Sequence, residues 1–408
     1  MSKFIVAGNW DNDLIDGLCE FPEVDSVFAR LSTDATGGGR AAFVLPTVSR
    51  RRAERHIAYA HSKGLKFIYL YNAACLGSME FTKEGRRRLE EEVEWAVDTA
   101  GVDAVTVSTN YLFRLLRKKY PKLKVGTGLF MMQSPVVERV KYYQDQGAGY
   151  ITLGFNVARD FSLMEKIRKT IKRSQLHVFV NNICLFNCPH LDYHGNVLTH
   201  MSQKGASSSR VCVDYHTWTC NCIKSEEPEQ LIRSRWIRPE DLHLYEEMGF
   251  THFKITDRSR ASRWLIRAAR AYAQRKYEGN LTDILSLEIP GDERNIQLEI
   301  NRKFRKQLLK YCVSDQVWLK GSFGWGKAGR PAINNRELDD FLEFFKTQDC
   351  NLIDCDKCGY CRRVAEKAIY FTNPDARKKL IMVLRGSINE FLNNRLFAPP
   401  RKKEEIRR

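Results

Sequence analysis

The sequence predicts an α/β fold, a TIM-like (β/α)8 barrel carrying a Cys-rich insertion and a smaller Cys-containing C-terminal region. Three observations predict it. Short runs rich in β-branched and aromatic residues alternate with longer amphipathic stretches, and strands separated by helices pair in parallel. Eight such units fit within about 280 residues, close to the size of one closed barrel. Gly64, Gly101, Gly147 and Gly249 stand just after helical stretches, where a left-handed C-terminal cap belongs. A doubly wound open sheet shares the alternation and is the competing architecture.

Taken in chain order, the strand runs are residues 4–7, 26–29, 66–71, 104–108, 124–127, 150–153, 177–181 and 252–255. The clearest helical patterns between them are 47–63, 82–100, 135–146, 238–248 and 260–276. Residues 184–237 break the rhythm. They show no clear β/α unit but many Cys, His and Ser, and an insertion after a barrel strand falls on the C-terminal face, where barrel active sites form. This gives a barrel-like domain over 1–280. Residues 281–398 read as a C-terminal region with strand-like 283–287 and 297–300, helical 338–347 and 376–391, and a Cys knot at 350–361. Residues 399–408 form a charged tail expected to be disordered.

The chain has 408 residues, 43% of them apolar and 11% aromatic, which excludes a wholly disordered polymer. No apolar run approaches the ~20 residues of a membrane helix, and the opening MSKFIVAGNWDND lacks a signal-peptide core. A cytoplasmic protein without membrane insertion is the expectation. The formal net charge is +17, which favours an acidic partner: RNA or an anionic small molecule. Trp218, Trp236 and Trp264 lie among Arg and His, as base-stacking residues do, although the core is the commoner place for Trp. Residues 321–327, Gly-Ser-Phe-Gly-Trp-Gly-Lys, have glycine-loop composition but lack the Gly-Lys-Ser/Thr ending, and read as a flexible loop.

The 12 Cys are too sparse for a disulfide scaffold, and they cluster. Cys184, Cys188, Cys212, Cys220 and Cys222 fall in the insertion, and Cys350, Cys355, Cys358 and Cys361 read C-x4-C-x2-C-x2-C. Clustered Cys in a chain without a signal read as ligands to a metal or cluster. Polarisable thiolates suit iron–sulfur clusters. With His190, His194 and His200 nearby, a Cys2His2 zinc site is also open, although Pro189 and Gly195 leave room for a very short helix at best. Buried free thiols are the plain alternative.

The segment IRPEDLHLYEEMGFTHFKITDRSRASRWLIRAARAYAQRKYEG resembles the signature region of the collagenase-like peptidase family U32: an acidic helix, a strand ending in a Lys-Ile turn, here Lys254-Ile255-Thr256-Asp257-Arg258, then a helix ending Arg270-Ala271-Tyr272. The upstream Asn-Asn-Ile-Cys-Leu and the Cys-rich insertion resemble it too, over roughly residues 1–280. Thr256-Asp257 in place of Glu-Gly, a first Cys pair only three residues apart and the C-terminal knot mark a divergent branch. The resemblance implies a barrel-like fold and a 4Fe–4S cluster held by four Cys at its C-terminal mouth. It also implies oxygen-independent hydroxylation with prephenate as oxygen donor, since family members hydroxylate tRNA uridine, ribosomal RNA cytidine or the ubiquinone ring.

On this reading Cys184, Cys188 and Cys220 are the leading barrel ligands, Cys222 the fourth and Cys212 the reserve. Cys350, Cys355, Cys358 and Cys361 hold a second 4Fe–4S cluster, with zinc as the alternative metal. Cys75, after the third strand, is a further candidate for the mouth. Lys254 and Arg258 end the last strand and are placed to clamp an anionic donor, guanidinium matching carboxylate in a bidentate pair; an ion pair with Asp257 is the simpler role. Arg159 is a weaker substrate-binding candidate. His194, with His200 and His216, is the candidate general acid or base. An electron donor or partner protein is implied by cluster redox chemistry. A peptidase and a zinc-stapled RNA-binding protein are the rival functions; neither a Gly-x-Ser-x-Gly elbow nor a His-Glu-x-x-His pair is present.

Overall fold

A computed structural model describes residues 2–203, 214–287 and 329–393. Eight parallel strands close into one barrel: β1 (Lys3–Ala7), β2 (Val24–Ala29), β3 (Lys66–Tyr71), β4 (Ala104–Val107), β5 (Lys124–Thr127), β6 (Tyr150–Thr152), β7 (Gln175–Phe179) and β8 (His252–Ile255). Each strand pairs with its sequence neighbour, and β8 returns to β1 with Lys3 opposite His252 and Ile5 opposite Lys254. All eight expected strands are present; the open sheet is not. Their runs are apolar on both faces because helices cover the outside while the inside packs on itself. The sequence KFIYLY of β3, for example, is buried after its first residue.

The helices that matter for the mouth are α1 (Asn12–Leu18), α2 (Arg50–Ser62), α3 (Lys83–Glu94), α4 (Asn110–Lys119), α5 (Val137–Asp145), α6 (Phe161–Thr170), α7 (Leu191–His200), α8 (Tyr215–Glu226), α9 (Glu229–Arg233), α10 (Leu242–Glu247) and α11 (Ser262–Ala273). Ser49, Thr82 and Asp160 cap α2, α3 and α6 by accepting from backbone N–H groups in the first turn. The four anticipated capping glycines have φ between +69° and +88°, a region that a side chain would strain.

Inside the barrel runs a polar layer. The Tyr150 ring stacks on His177 at 4.5 Å, His177 stacks on His252 at 5.5 Å, and the Tyr150 hydroxyl bonds Thr106 at 2.7 Å. Gly126 makes room: a Cβ there would sit 2.0 Å from the Tyr150 ring. Both ring nitrogens of His177 lack hydrogen-bond partners among the described residues, and burial pushes that imidazole well below its ordinary pKa.

Beyond the barrel, Pro331–Ile333 pairs antiparallel with Ile369–Phe371. A short helical turn at Asn335–Leu338 and the helices Glu343–Thr347, Cys355–Cys358, Tyr360–Ala368 and Pro374–Leu392 complete the described C-terminal part. Three expectations change. Residues 283–287 are not a strand, because the Asn280 side chain caps a 3-10 turn at Leu281–Asp283. The expected helix over 338–347 is broken, and only Glu343–Thr347 is α-helical. The insertion holds real helices, and Gly195 lies inside the ten-residue α7 rather than ending it. Trp218, Trp236 and Trp264 are fully buried, which removes them as base-stacking residues. Residues 297–300, the 321–327 loop, Cys212, Cys312 and the 399–408 tail lie outside the described residues. Among the described residues no helix is long and apolar enough to cross a membrane.

Candidate active site

The C-terminal ends of the strands open into a cavity of about 160 Å³. Phe28, Leu70, Thr106, Thr152, Phe179 and Lys254 are contributed by β2, β3, β4, β6, β7 and β8; the segments that follow the strands add Arg40, Asn72, Phe130, Phe155, Cys184 and Arg258, and α7 adds His194. This is the face where a parallel barrel gathers side chains from many strand ends.

α7 forms the lid. Ser202, just beyond it, accepts from Gly38 N–H at 2.8 Å, and Thr199 accepts from Ala74 N–H at 2.9 Å, so the insertion is fastened to the loops after β2 and β3. The helix lies close to Phe130: a Cβ on Gly195 would approach that ring to 2.3 Å. Gly38 allows a similar approach, since a Cβ there would meet Asn72 Oδ1 at 2.5 Å. The small residues are a packing requirement of the mouth.

The charge lining it is cationic. Burial, then the neighbouring Arg258, pulls Lys254 down to about 7. Its Nζ lies 4.3 Å from the Phe28 ring centre and 5.8 Å from that of Phe179. Burial, then Arg30 and Arg40, pulls Arg258 down to about 9, and its Nη1 has no hydrogen-bond partner among the described residues. Arg30 is likewise buried, with Nη1 and Nη2 unpartnered among the described residues and Nε 3.3 Å from Asp34. Burial raises Asp34 to about 7 despite Arg30, and Asp34 accepts from the Tyr69 hydroxyl at 2.7 Å. The nearest firm anion, Asp257, is held by Arg260 at 2.8 Å and by the Ser259 hydroxyl, with Arg40 at 3.7 Å. Asp257 therefore pairs with Arg260, not with Lys254 or Arg258, and the anticipated Arg258–Asp257 ion pair does not form. Several buried cations facing one committed carboxylate make a site that an anion stabilises.

His194 Nε2 lies 3.1 Å from Asp214 Oδ2, and Asp214 also caps α8. The His194 charge and hydrogen bond hold Asp214 far below the ordinary carboxylate range against the opposing effect of burial. This is a carboxylate-oriented histidine at the rim. His216 is buried beneath it among the rings of His190, His194 and Tyr215, and burial takes it down to about 4. His200 ends α7 on its exposed side.

Cys184, Cys188 and Cys220 are mutual neighbours: the thiols of Cys184 and Cys188 each sense that of Cys220, and both sense the Lys224 ammonium. Burial pushes Cys184 up to about 11. Cys222 departs from the expected set. One residue pair along α8 from Cys220, it turns to Glu226 at 3.5 Å and to Arg385, because positions two apart on a helix face different ways. Cys75 is not a lining residue; its sulfur accepts from Gly77 N–H at 3.4 Å. The C-terminal set meets around one cavity of about 20 Å³ lined by Cys350, Cys355, Cys358 and Cys361 with Arg233, Phe344, Ile353 and Tyr360. Among the described residues no three Cys, His, Asp or Glu side chains stand close enough to chelate a metal ion. The donor chemistry still fits a thiolate-ligated group: four thiols around one void, and Cys184 at the mouth with Cys188 and Cys220 near it, with cations beside each set.

Arg159 lies elsewhere than expected. Its guanidinium donates to the carbonyls of Ile232 and Trp236 and stacks on Trp236, Phe341 and Phe345, so it joins the barrel to the C-terminal region and does not line the mouth. Sequence reasoning missed Arg40 and Asn72, which line the mouth, and Arg30, whose charge bears on Arg258 from behind it; they sit after β2 and β3 without a local motif, and the only hint was the Gly37-Gly38-Gly39 run beside them.

The family model described as peptidase family U32 matches residues 41–311. An uncharacterized protease of Methanocaldococcus jannaschii is 26% identical over 336 residues, spanning 82% of this chain and 85% of its own. The solved structure of the U32 peptidase Mk0906 is 18% identical, covering 62% of this chain and 92% of its own, with a TM-score of 0.47.

Proposed function

The chain belongs to peptidase family U32, and from that premise we propose that it is an iron–sulfur enzyme catalysing an oxygen-independent hydroxylation, with prephenate or a similar dicarboxylate as oxygen donor and an RNA or small aromatic acceptor. The observation that carries this reading is one cavity in which buried, unpaired cations stand beside a clustered set of thiols. Lys254, Arg258 and Arg40 hold the donor carboxylates by charge-assisted hydrogen bonds. Phe28, Phe130, Phe155 and Phe179 exclude water and offer faces to a planar acceptor. His194, oriented by Asp214, gives or takes the proton of the reacting hydroxyl. Cys184, Cys188 and Cys220 would hold one 4Fe–4S cluster and the four C-terminal Cys a second. When bound, the first would supply Lewis acidity or one-electron chemistry next to the donor.

Anaerobic purification with iron, sulfide and zinc quantification tests this. Two clusters mean about eight iron per chain. Cys184→Ala is expected to remove about half of that iron together with prephenate-dependent activity. Zinc without iron would overturn the reading in favour of a zinc-stapled RNA-binding protein. A peptidase is the second reading, favoured by Cys184 and His194 lining the same cavity and by the name of the archaeal relative. It requires peptide cleavage by metal-free protein, lost in His194→Ala.

A further inference from the structure

A second cavity, of about 370 Å³, opens between the loop after β2 and the helices α2 and α3. It shares no lining residue with the mouth. Thr33 and Asp34 come from that loop, Arg50 begins α2, and Arg88, Glu91 and Glu92 belong to α3. Its volume falls within the range of small-molecule sites. Two of these acids are buried, Asp34 at 1% exposure and Glu92 at 8%, and the chemistry of the mouth uses neither as a ligand-binding group.

The charges around this cavity are sorted by depth. The inner wall is acidic: Asp34 and Glu92 are near enough for the Glu92 charge to raise Asp34. Asp34 is held from behind by Arg30 and by the Tyr69 hydroxyl, and Glu92 accepts from Ala35 N–H at 3.2 Å. Two buried carboxylates near each other favour a cation between them. Among the described residues no three acids are disposed to chelate a metal ion, so the cation that fits is an organic ammonium group. The rim is basic. Arg50 lies 4.9 Å from the Trp95 ring centre and reaches Glu92 at 2.9 Å, Glu91 is committed to Arg87, and Arg88 pairs with no carboxylate among the described residues. α2 opens here with three Arg and no acidic residue in its first turn, so its N-terminal N–H groups add to a field that attracts an anion. A ligand with only negative groups is repelled by the inner wall, and one with only positive groups by the rim. A ligand bearing both satisfies both.

We propose that this cavity binds a small polar zwitterion, an α-amino acid or a compound of the same charge pattern. Its ammonium group lies against Asp34 and Glu92, its carboxylate against Arg88 and Arg50, and the Thr33 hydroxyl stands beside it. Leu31 is the only apolar residue among the described lining, so a short or polar side chain fits better than a large apolar one. The assignment does not depend on what the cysteine groups hold.

Calorimetric titration of the full-length protein with L-alanine, L-serine and L-glutamine tests this. At least one of them is expected to bind, and neither putrescine nor succinate, each charged with one sign only, should displace it. Arg88 is partly exposed and unpaired, so Arg88→Gln should keep the fold and weaken binding by about tenfold or more, and Asp34→Asn should weaken it likewise. Lys254→Met, in the mouth, should leave this binding unchanged. No binding by any of the three at millimolar concentration overturns the proposal. So does displacement by putrescine or succinate, binding that persists at full strength in Arg88→Gln, or binding that is lost in Lys254→Met.

Discussion

Lys254 carries a charge whose presence depends on pH within the working range. Buried beside Arg258, it is protonated below about 7 and neutral above. An anion in the mouth favours the charged form, so binding takes up a proton and affinity falls as pH rises through 7. Arg258, pulled only to about 9, keeps its charge over most of that window. Losing one charge-assisted hydrogen bond is worth about 1.5–3 kcal/mol, but protonating a lysine of pKa about 7 at pH 8.5 costs only about 2 kcal/mol, so the drop in affinity is limited to roughly 10- to 30-fold. Calorimetric titration of prephenate at pH 6 and pH 8.5 should show this step, and Lys254→Met should abolish it; equal wild-type affinity at both pH values refutes the assignment. At this scale the sequence was informative where a residue ended a strand, as Lys254 and Arg258 do. It was silent where a side chain's direction depended on helix phase, as for Cys222, or on a partner distant in sequence, as for Arg159 and the carbonyls of Ile232 and Trp236.

The same substitution has opposite effects on two helices. Gly386 lies in Pro374–Leu392 with open space around its missing Cβ. Gly386→Ala should stabilise the protein by about 0.5–1 kcal/mol, the helix-propensity difference. Gly195 in α7 faces the Phe130 ring, so Gly195→Ala must displace that ring and should cost about 1–3 kcal/mol while narrowing the mouth. Denaturant unfolding of both variants measures the contrast, and a stabilised Gly195→Ala would show that α7 does not press on Phe130. The barrel strands were legible because each is a short apolar run buried on both faces. The insertion helices were not, because α7 carries a glycine and polar residues that read as loop until Phe130 and the β2 and β3 loops are seen to pack on it. Residues 283–287 misled in the other direction: their apolar alternation fills the space beneath Asn181, whose amide donates to the Ile284 carbonyl at 3.3 Å, rather than a sheet.

Across the whole molecule, the barrel and the C-terminal region meet at Arg159 and Arg238. Arg238 donates to the Asn335 carbonyl at 3.1 Å and pairs with Asp241 at 2.8 Å and Asp339 at 3.0 Å. Arg159→Met keeps the packing volume but strands two buried carbonyls, at about 1–3 kcal/mol each. Limited proteolysis should then release fragments from the C-terminal region under conditions that leave the wild type whole; identical digestion patterns would mean that the clamp is unnecessary. Barrel closure has a different consequence, in the time domain. β1 pairs with β2 within the first thirty residues, but its other edge is satisfied only by β8, with Lys3 opposite His252. A ribosome must therefore deliver some 250 residues before the first strand has its second neighbour, and until then an apolar edge stays open to pairing with other chains. Nascent chains of this protein will depend on holding factors until β8 and the α11 that covers it emerge, and truncations just short of residue 252 will aggregate.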